Sequence, residues 1–267
     1  MDNTNNNCIV CPLCKNDKTK KYIDALQCTN CTHIFTNNVY DNDYWNNLYE
    51  HDYTKSDRKF DSQRNLMYQQ EITWINNFKK LKGSFLDVGC SYGTFFTFLP
   101  KEMYKVGIDV STTVINDAKK LHPEFEFHKT FIKNFTEKKF DFIQFRGVLQ
   151  HSIDPMLNLQ SAIPLLNENG IIIVTSLPDF SCITNKIYKE NFGFYLPRLS
   201  PHFFTRKSFE SVLESLDLKI VRWESPYLNT PYAKFPNDLF SFIINKFQNK
   251  KNPPFFGNVK NYLISKI

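Results

Sequence analysis

The sequence has no run of apolar residues long enough to cross a bilayer, because a spanning helix takes about 20 such residues. It begins with polar residues, among them Asp2, Asn3 and Asn5 to Asn7, where a signal peptide would be apolar. No internal repeat is visible. These absences exclude a protein with membrane-spanning helices, and we expect a cytoplasmic protein.

A concentrated basic stretch is also missing, although the net charge is +6 and the pI is about 8.8. The lysines form short clusters spread along the chain, which solvated surfaces explain better than a nucleic-acid track. We therefore predict that no nucleic acid is bound. Hydrophobic residues make up 42% of the 267 residues and aromatic residues 16%, which excludes wholesale disorder and predicts a globular fold.

A glycine loop lies in the stretch SFLDVGCSYG, residues 84–93. An apolar strand runs into a turn with Gly89 and Gly93, and a helical pattern follows. Glycines let a ligand approach bare backbone and supply positive φ angles. Asp87 stands two residues before Gly89, where a carboxylate disfavours the pyrophosphate of a dinucleotide and favours a cation. The loop therefore predicts a cationic nucleoside ligand.

A second carboxylate, Asp109, lies in the run KVGIDV (residues 105–110), twenty residues beyond Gly89. At that distance from a glycine loop, an acidic side chain can bind both hydroxyls of an adenosine ribose. A ribose with a cationic tail suits both Asp87 and Asp109. S-adenosylmethionine, whose ammonium and sulfonium are positive, matches that description.

These motifs resemble those of the class I S-adenosylmethionine-dependent methyltransferases. The resemblance rests on Asp87, Gly89, Cys90, Gly93 and Asp109, and it extends to residues 140–155 and 165–178, which are similar to the fourth and fifth strands of that family. The sequence departs from the family pattern at Ser91, where a third glycine is common, and at Gln150, where many relatives carry Glu. It also lacks an acidic residue after the third strand. Further cofactor contacts implied by the resemblance are Val110, Phe131, Arg146 and Gly147.

The pattern of strands alternating with helices predicts an α/β fold with a Rossmann-like, doubly wound sheet of seven strands, the last pair antiparallel as in the family. Expected strands are 84–89, 105–109, 124–128, 140–145, 170–176, 218–224 and 261–267. Expected helices are 61–81, 93–100, 111–121, 154–167 and 207–216. In the first helix, Leu66, Trp74, Ile75, Phe78 and Leu81 form the apolar stripe.

Two C-x-x-C pairs precede this domain, Cys11 with Cys14 and Cys28 with Cys31. Pairs at that separation can place four thiolates tetrahedrally about one zinc ion. A segment of this size buries too little apolar surface to fold alone, so the metal would supply most of its stability. Cys8 and His33 lie near enough to substitute, but we interpret both as bystanders.

We assign residues 1–55 to this zinc-binding module and an aromatic arm, and residues 56–267 to the catalytic domain. Zinc knuckles, an aromatic arm and this core together resemble methyltransferases of sugar and polysaccharide synthesis. In such relatives the arm closes over the cofactor and acceptor; the candidates for that surface are Tyr44, Trp45, Tyr49 and Tyr53. Two insertions interrupt the domain, a lid at 177–206 and a helical insertion at 226–260. The latter contains an amphipathic helix that we expect to pack on its own domain, although it could roof the acceptor pocket or form a dimer contact.

Methyl transfer needs alignment of the acceptor and exclusion of water, and a hydroxyl acceptor also needs a base. His151, after the fourth strand, and His202, in the lid, are the candidate bases because the pKa of histidine lies near working pH. Arg146 could bind an anionic acceptor or pair with a surface carboxylate. We predict a sugar hydroxyl or amine as acceptor, nucleotide-linked or in a glycan. The alternatives are an RNA base methyltransferase with a zinc module, a methyltransferase of another small molecule and a non-catalytic cofactor-fold protein. The oligomeric state is open.

Overall fold

The structure, a computed structural model, describes residues 9–36, 44, 47, 48, 50, 61–136 and 138–267. Its strands are β1 (Thr19–Tyr22), β2 (Ala25–Cys28), β3 (Ile34–Phe35), β4 (Ser84–Val88), β5 (Tyr104–Asp109), β6 (Glu126–Lys129), β7 (Phe140–Arg146), β8 (Leu166–Pro178), β9 (His202–Phe203), β10 (Leu218–Glu224) and β11 (Val259–Lys266). Its α-helices are α1 (Asp61–Asn76), α2 (Thr112–Leu121), α3 (Pro155–Leu165), α4 (Ile183–Tyr188), α5 (Arg206–Glu214) and α6 (Asn237–Phe247). Predicted residues Cys8, Trp45, Tyr49 and Tyr53 lie outside the described residues.

The central sheet has seven strands in the order β10-β11-β8-β7-β4-β5-β6. Strands β4 to β8 pair in parallel, whereas β11 runs antiparallel to both β8 and β10. The predicted α/β fold, the seven strands and the reversed final strand are confirmed. Because the chain winds outward from β4 to β6 and then returns to β7 on the other side of β4, the crevice between β4 and β7 is the topological switch point, where sheets of this kind bind ligands.

Both faces of the sheet are covered, as its apolar strands require. Alternate residues of β4 and β7 point to opposite sides, so Phe85 and Phe142 join one core cluster while Leu86 and Ile143 join the other. Helix α1 packs on the cluster of Phe85, and its buried stripe consists of Met67, Tyr68, Glu71, Trp74 and Ile75. Leu66 and Phe78, which were predicted to belong to that stripe, are exposed instead.

Two predicted helices are shorter in the structure. The first ends at Asn76 rather than residue 81, and the Asn76 side chain accepts a hydrogen bond from the Leu81 backbone N–H at 3.0 Å. After the glycine loop, residues Thr94–Phe98 form a 3₁₀ helix rather than an α-helix. Leu99 is already extended there, because the residue before a proline is driven out of the helical region.

A second sheet joins the cysteine segment to the catalytic domain. Its strand order is β1-β2-β3-β9, and β3 pairs antiparallel with β9 through Ile34 opposite Phe203 and Phe35 opposite His202. Strand β9 belongs to the insertion expected to act as a lid. The N-terminal segment therefore shares a sheet with this insertion, and the insertion is tied down by backbone pairing.

The helical insertion carries α6 as predicted, and the helix packs on its own domain as expected, but most of its apolar residues face away from that domain. Leu239, Ile243 and Phe247 are exposed. Phe242, another apolar residue of the helix, contacts the domain, where its ring packs on Tyr188. No helix in the part of the chain that the structure describes is long and apolar enough to cross a membrane.

Candidate active site

A cavity of about 750 Å³ opens at the carboxyl ends of β4, β5 and β7, which is the switch point of the sheet and a volume typical of small-molecule sites. Eight of the predicted cofactor residues line it: Asp87, Gly89, Cys90, Asp109, Val110, Phe131, Arg146 and Gly147. His151 lines it as well. The loops after β4, β5, β6 and β7 therefore bring the sequence motifs to one site, as the strand order requires.

Asp87 is the buried acid of the site. It is 3% exposed, and its Oδ1 accepts a hydrogen bond from Gln144 Nε2 at 3.3 Å across the β4–β7 pair. Burial raises the pKa of Asp87 to about 7, even though the Gln144 hydrogen bond and the charge of Arg146 act in the opposite direction. A carboxyl group whose pKa is raised by burial interacts strongly with a bound cation, because the positive charge stabilises the ionised form of the group.

Asp109 links the loops that follow β4 and β5. Its Oδ2 accepts a hydrogen bond from the Ser91 backbone N–H at 3.1 Å, and its Oδ1 accepts one from the Ser111 N–H at 3.0 Å. Each carboxylate oxygen can accept a second hydrogen bond. Asp109 therefore ties the two loops together and presents an acceptor-only group to the cavity.

The two loop glycines are required by the protein's own packing. Gly89 has a φ of +74°, and a Cβ there would stand 2.6 Å from Val148 Cγ2. Gly93 has a φ of +73°, and its Cβ would meet the Phe127 ring at 2.4 Å. Gly93 is not among the residues that line the cavity, so its contact with the cofactor stays a prediction. It sets the turn on which Cys90 and Ser91 are carried.

Arg146 is fixed by a buried carboxylate, not by the surface carboxylate considered in the sequence analysis. Its Nε donates to Glu71 Oε2 at 2.9 Å and its Nη2 to Glu71 Oε1 at 3.2 Å, while the guanidinium lies 4.7 Å from the centre of the Tyr68 ring. Burial acts to lower the pKa of Arg146, but the Glu71 charge outweighs it and the pKa is raised. The two hydrogen bonds to Glu71 hold the Arg146 guanidinium at the edge of the cavity beside Asp87.

His151 lies in the loop after β7 and is part of the cavity wall. Its Nδ1 lies 2.9 Å from the Leu199 carbonyl oxygen and 3.1 Å from Ser200 Oγ. A carbonyl oxygen only accepts, so Nδ1 carries the proton and the lone pair of the neutral ring is on Nε2. Burial lowers the pKa of His151, against the Leu199 hydrogen bond. The ring is therefore neutral at working pH, as a base must be.

The expected position of His202 in a lid opposite the cofactor is corrected by the structure. The residue is 4% exposed, does not line the cavity, and lies between His33 and the backbone of the loop after β7. Its Nδ1 is 3.0 Å from His33 Nε2, and its Nε2 is 3.2 Å from the Ile153 carbonyl oxygen. Strand β9 places it there because Phe203 alternates with it along the ladder.

The four cysteines Cys11, Cys14, Cys28 and Cys31 come together, with all Sγ atoms within 4.8 Å of one another and no disulfide. The Cys11–Cys31 sulfur distance is 3.6 Å and the Cys14–Cys28 distance is 3.5 Å. Tetrahedral zinc with bonds of about 2.3 Å sets its sulfurs about 3.8 Å apart, so the arrangement fits one such ion. His33 is not among the grouped ligands, and its Nε2 lies 3.0 Å from His202 Nδ1.

Sequence reasoning missed several residues of the site. Glu71 and Tyr68 lie on the buried stripe of α1, and an acid within an apolar stripe was the signal for Glu71. Glu50 of the arm accepts hydrogen bonds from Ser111 Oγ and the Thr112 N–H, both at 2.8 Å. Burial opposes its ionisation, but these hydrogen bonds lower the pKa of Glu50 to about 2. No sequence pattern marked Glu50, because its partner is a helix N-terminus distant in the chain.

Comparison with known proteins bears on this site. Residues 60–222, more than half of the chain, match the family described as a methyltransferase domain. The fold and the motif-lined cavity define the class, a methyltransferase with a Rossmann-like sheet. The chain belongs to that methyltransferase domain family, which confirms the predicted class of enzyme, an S-adenosylmethionine-dependent methyltransferase. A search of curated proteins gave no match.

Solved structures with the same fold include the plantazolicin methyltransferase BpumL in complex with SAH, at 21% identity and a TM-score of 0.56, covering 84% of this chain and 94% of that one. An S-adenosylmethionine-dependent methyltransferase from Clostridium acetobutylicum is 14% identical with a TM-score of 0.54, covering 82% and 98%. The magnesium protoporphyrin IX methyltransferase of Synechocystis with bound SAM is 13% identical with a TM-score of 0.51, covering 84% and 90%. At these sequence identities the similarity shows a shared fold.

Proposed function

We propose that the protein binds S-adenosylmethionine in this cavity and transfers its methyl group to a hydroxyl or amine of a sugar, nucleotide-linked or part of a glycan. The observation that carries the proposal is the pairing of Asp87 and Asp109 in one cavity at the switch point. One buried carboxyl group of raised pKa suits a cation, and one loop-bridging carboxylate suits a ribose. Two solved structures of the same fold are described with SAM or SAH bound.

In this proposal the cofactor supplies a methyl group on a sulfonium that needs no further activation. Asp87 attracts the cationic end and Asp109 accepts hydrogen bonds from the ribose hydroxyls. Phe131, which is half exposed at the cavity, offers a ring face to the adenine of the cofactor. Arg146 pairs with the charge of Glu71 and favours the ionised form of Asp87, against the burial that raises the pKa of that carboxyl group. The chain thus orients the donor and excludes water, the main requirements of an in-line displacement.

For a hydroxyl acceptor, His151 is the proposed base. With S-adenosylmethionine bound, the cofactor would supply the methyl carbon to the hydroxyl oxygen and its sulfur would keep the electrons of the broken carbon–sulfur bond, while His151 Nε2 would accept the hydroxyl proton. The loop and helix next to it add Ser152, Asp154 and Asn158 to the cavity wall. Such a row of hydroxyl, carboxylate and amide groups is suited to a ligand with several hydroxyls, which supports a sugar.

The cysteine cluster is proposed to hold one structural zinc ion. Its role follows from the shared sheet, since β3 supports β9 and the residues just before β9 hold His151 through Leu199 and Ser200. The metal would stabilise a segment that buries little apolar surface of its own. Residues 1–55 and 56–267 remain the proposed division of the chain.

The function is tested in two steps. Isothermal titration calorimetry should show binding of S-adenosylmethionine and its demethylated product to the wild type and its loss in Asp109→Ala. Labelled S-adenosylmethionine with pools of nucleotide sugars, glycans or RNA then identifies the acceptor. No cofactor binding by the wild type would refute the proposal, and methylation of RNA alone would replace the sugar by an RNA base.

A further inference from the structure

Helix α6 presents its apolar side to solvent. With 100° between successive residues, Asp238, Ser241, Phe242 and Asn245 share the face turned to the protein. The opposite face carries Leu239, Phe240, Ile243, Ile244 and Phe247. Of these, Phe240 is 62% exposed, Ile243 52%, Ile244 51% and Phe247 88%. The polar side thus faces inward, the reverse of an ordinary surface helix.

Specific contacts hold the helix in this orientation. Asp238, which is buried, accepts hydrogen bonds from Tyr227 Oη at 2.8 Å and from the Lys234 N–H at 2.6 Å. Phe242 packs on Phe255 with ring centres 4.4 Å apart and on Tyr188 at 5.0 Å. Turning the apolar face inward would break these contacts and expose a buried, hydrogen-bonded carboxylate. The exposed apolar face is therefore built into the fold.

Within residues 226–260 the exposed charged side chains have one sign. Residues 226–260 contain five lysines and one acid, the buried Asp238. Lys234 precedes the helix, Lys246 lies in its last turn, and Lys250 and Lys251 follow it; all four are exposed. Further exposed apolar side chains of the same segment are Leu228, Tyr232, Phe235 and Phe256. The surface is thus apolar with a cationic border.

We propose that this face of α6 binds the surface of an anionic phospholipid bilayer. A helix with aromatic and aliphatic residues on one side and lysines beside them lies in the plane of the headgroups, with its apolar side about 5–10 Å deep. Each bordering lysine would add electrostatic free energy of binding to the negatively charged leaflet, and this contribution is largest at low salt. This surface lies outside the methyl-transfer cavity, and the proposal does not depend on the identity of donor or acceptor.

A second copy of the chain fits this surface less well. In a two-fold dimer the same patch meets itself. The lysines at the two ends of α6 would then approach the lysines of the other copy, and the segment has no exposed acid to pair with them. An anionic bilayer satisfies both the apolar face and its cationic border.

The test is co-sedimentation of the full chain with vesicles of phosphatidylcholine alone and of phosphatidylcholine with about 30% phosphatidylserine. We expect the wild type to bind the anionic vesicles, and Phe240→Ser with Phe247→Ser to lower the partition coefficient about tenfold or more. Lys250→Glu with Lys251→Glu should weaken binding to anionic vesicles in the same way. The matched control, Leu121→Ser with Ile267→Ser, removes two exposed apolar side chains elsewhere and should bind as the wild type does.

Three results would overturn the proposal. The first is a wild type that sediments with neither vesicle. The second is binding that both α6 variants retain. The third is a concentration-dependent dimer in analytical ultracentrifugation that the double Phe variant abolishes while vesicles bind nothing, which would assign the face to a second copy. Thermal melting of each variant, expected within a few degrees of the wild type because these side chains are exposed, shows that the fold is intact.

Discussion

His33 of the cysteine segment donates its Nε2 proton to Nδ1 of His202 in the catalytic domain, at 3.0 Å. The direction follows from the other side of the His202 ring, where Nε2 faces the Ile153 carbonyl oxygen, which can only accept. Both rings are buried and nearly stacked, with centres 5.3 Å apart. Burial lowers the pKa of His202 to about 4, so this bond joins two neutral rings. It connects the cysteine segment to the loop that carries His151.

His202→Ala should therefore affect stability and leave the chemistry nearly intact. The change removes a buried ring and leaves His33 Nε2 and the Ile153 carbonyl without partners, which costs about 2–4 kcal/mol. Chemical denaturation should show this loss, while turnover per folded molecule stays within a few-fold of the wild type. A drop of about 10²-fold in turnover at unchanged stability would restore His202 as the base.

His151→Ala should have the opposite effect. Because His151 lines the cavity and its neutral ring offers Nε2 as a base, its loss should lower kcat by about 10²-fold or more on a hydroxyl acceptor. Cofactor affinity by calorimetry should stay near that of the wild type. Full activity of the variant would indicate an amine acceptor that needs positioning without a base.

Cofactor binding should weaken as the pH falls. The pKa of Asp87 is raised to about 7 in the free protein by burial, and only the ionised form attracts the cationic ligand. Affinity should therefore be constant above about pH 8 and fall toward tenfold per pH unit below pH 7. Calorimetry between about pH 5.5 and 8 measures this slope.

Two variants isolate the contribution of Asp87. Asp87→Asn should bind the cofactor weakly and without this pH slope. Asp141→Asn changes a carboxylate at the opposite end of the strands, where it accepts from the Ser84 N–H at 2.8 Å, and should keep the slope. A slope that persists in Asp87→Asn would assign the titration to another group.

Loss of the proposed zinc ion should loosen the insertion that supports His151. Cys28→Ser should lose about one zinc per chain and increase hydrogen exchange at β3 and at residues 199–203, because β9 pairs with β3. Cys182→Ser, a buried cysteine outside the cluster, is the control and should keep the metal. A well-ordered, metal-free β3 in the wild type would contradict this prediction.

The Glu71–Arg146 ion pair should contribute far more to the free energy of unfolding than an ion pair on the surface. Glu71 is buried and both of its oxygens bond the guanidinium, so Glu71→Gln leaves a buried cation poorly paired and should cost about 2–4 kcal/mol. Arg206 and Glu210 form an exposed pair in α5, and Glu210→Gln should cost less than about 1 kcal/mol. Equal losses in the free energy of unfolding would show that Arg146 is stabilised by other groups.

The sequence by itself determined the order of strands and helices and the residues that meet at the switch point. Asp87 and Asp109 lie at the carboxyl ends of apolar strands, His151 lies in the loop after another, and parallel strands bring their carboxyl ends to one edge. The two C-x-x-C pairs identified the sulfur cluster because four thiols at such spacing have few other uses. Local pattern was enough wherever the partner of a residue is set by the regular geometry of one sheet.

The tertiary structure alone decided which side chains face inward and what they contact. His202 and His151 look alike in sequence, yet β9 buries one against His33 while the other reaches the cavity. Glu71 meets Arg146 across 75 positions of the chain. The α6 period predicts an amphipathic helix but cannot say which side packs, because the buried hydrogen bonds of Asp238 outweigh the usual inward turn of apolar residues. The pairing of His202 with His33 and of Glu71 with Arg146 has no local signal, because each joins groups far apart in sequence.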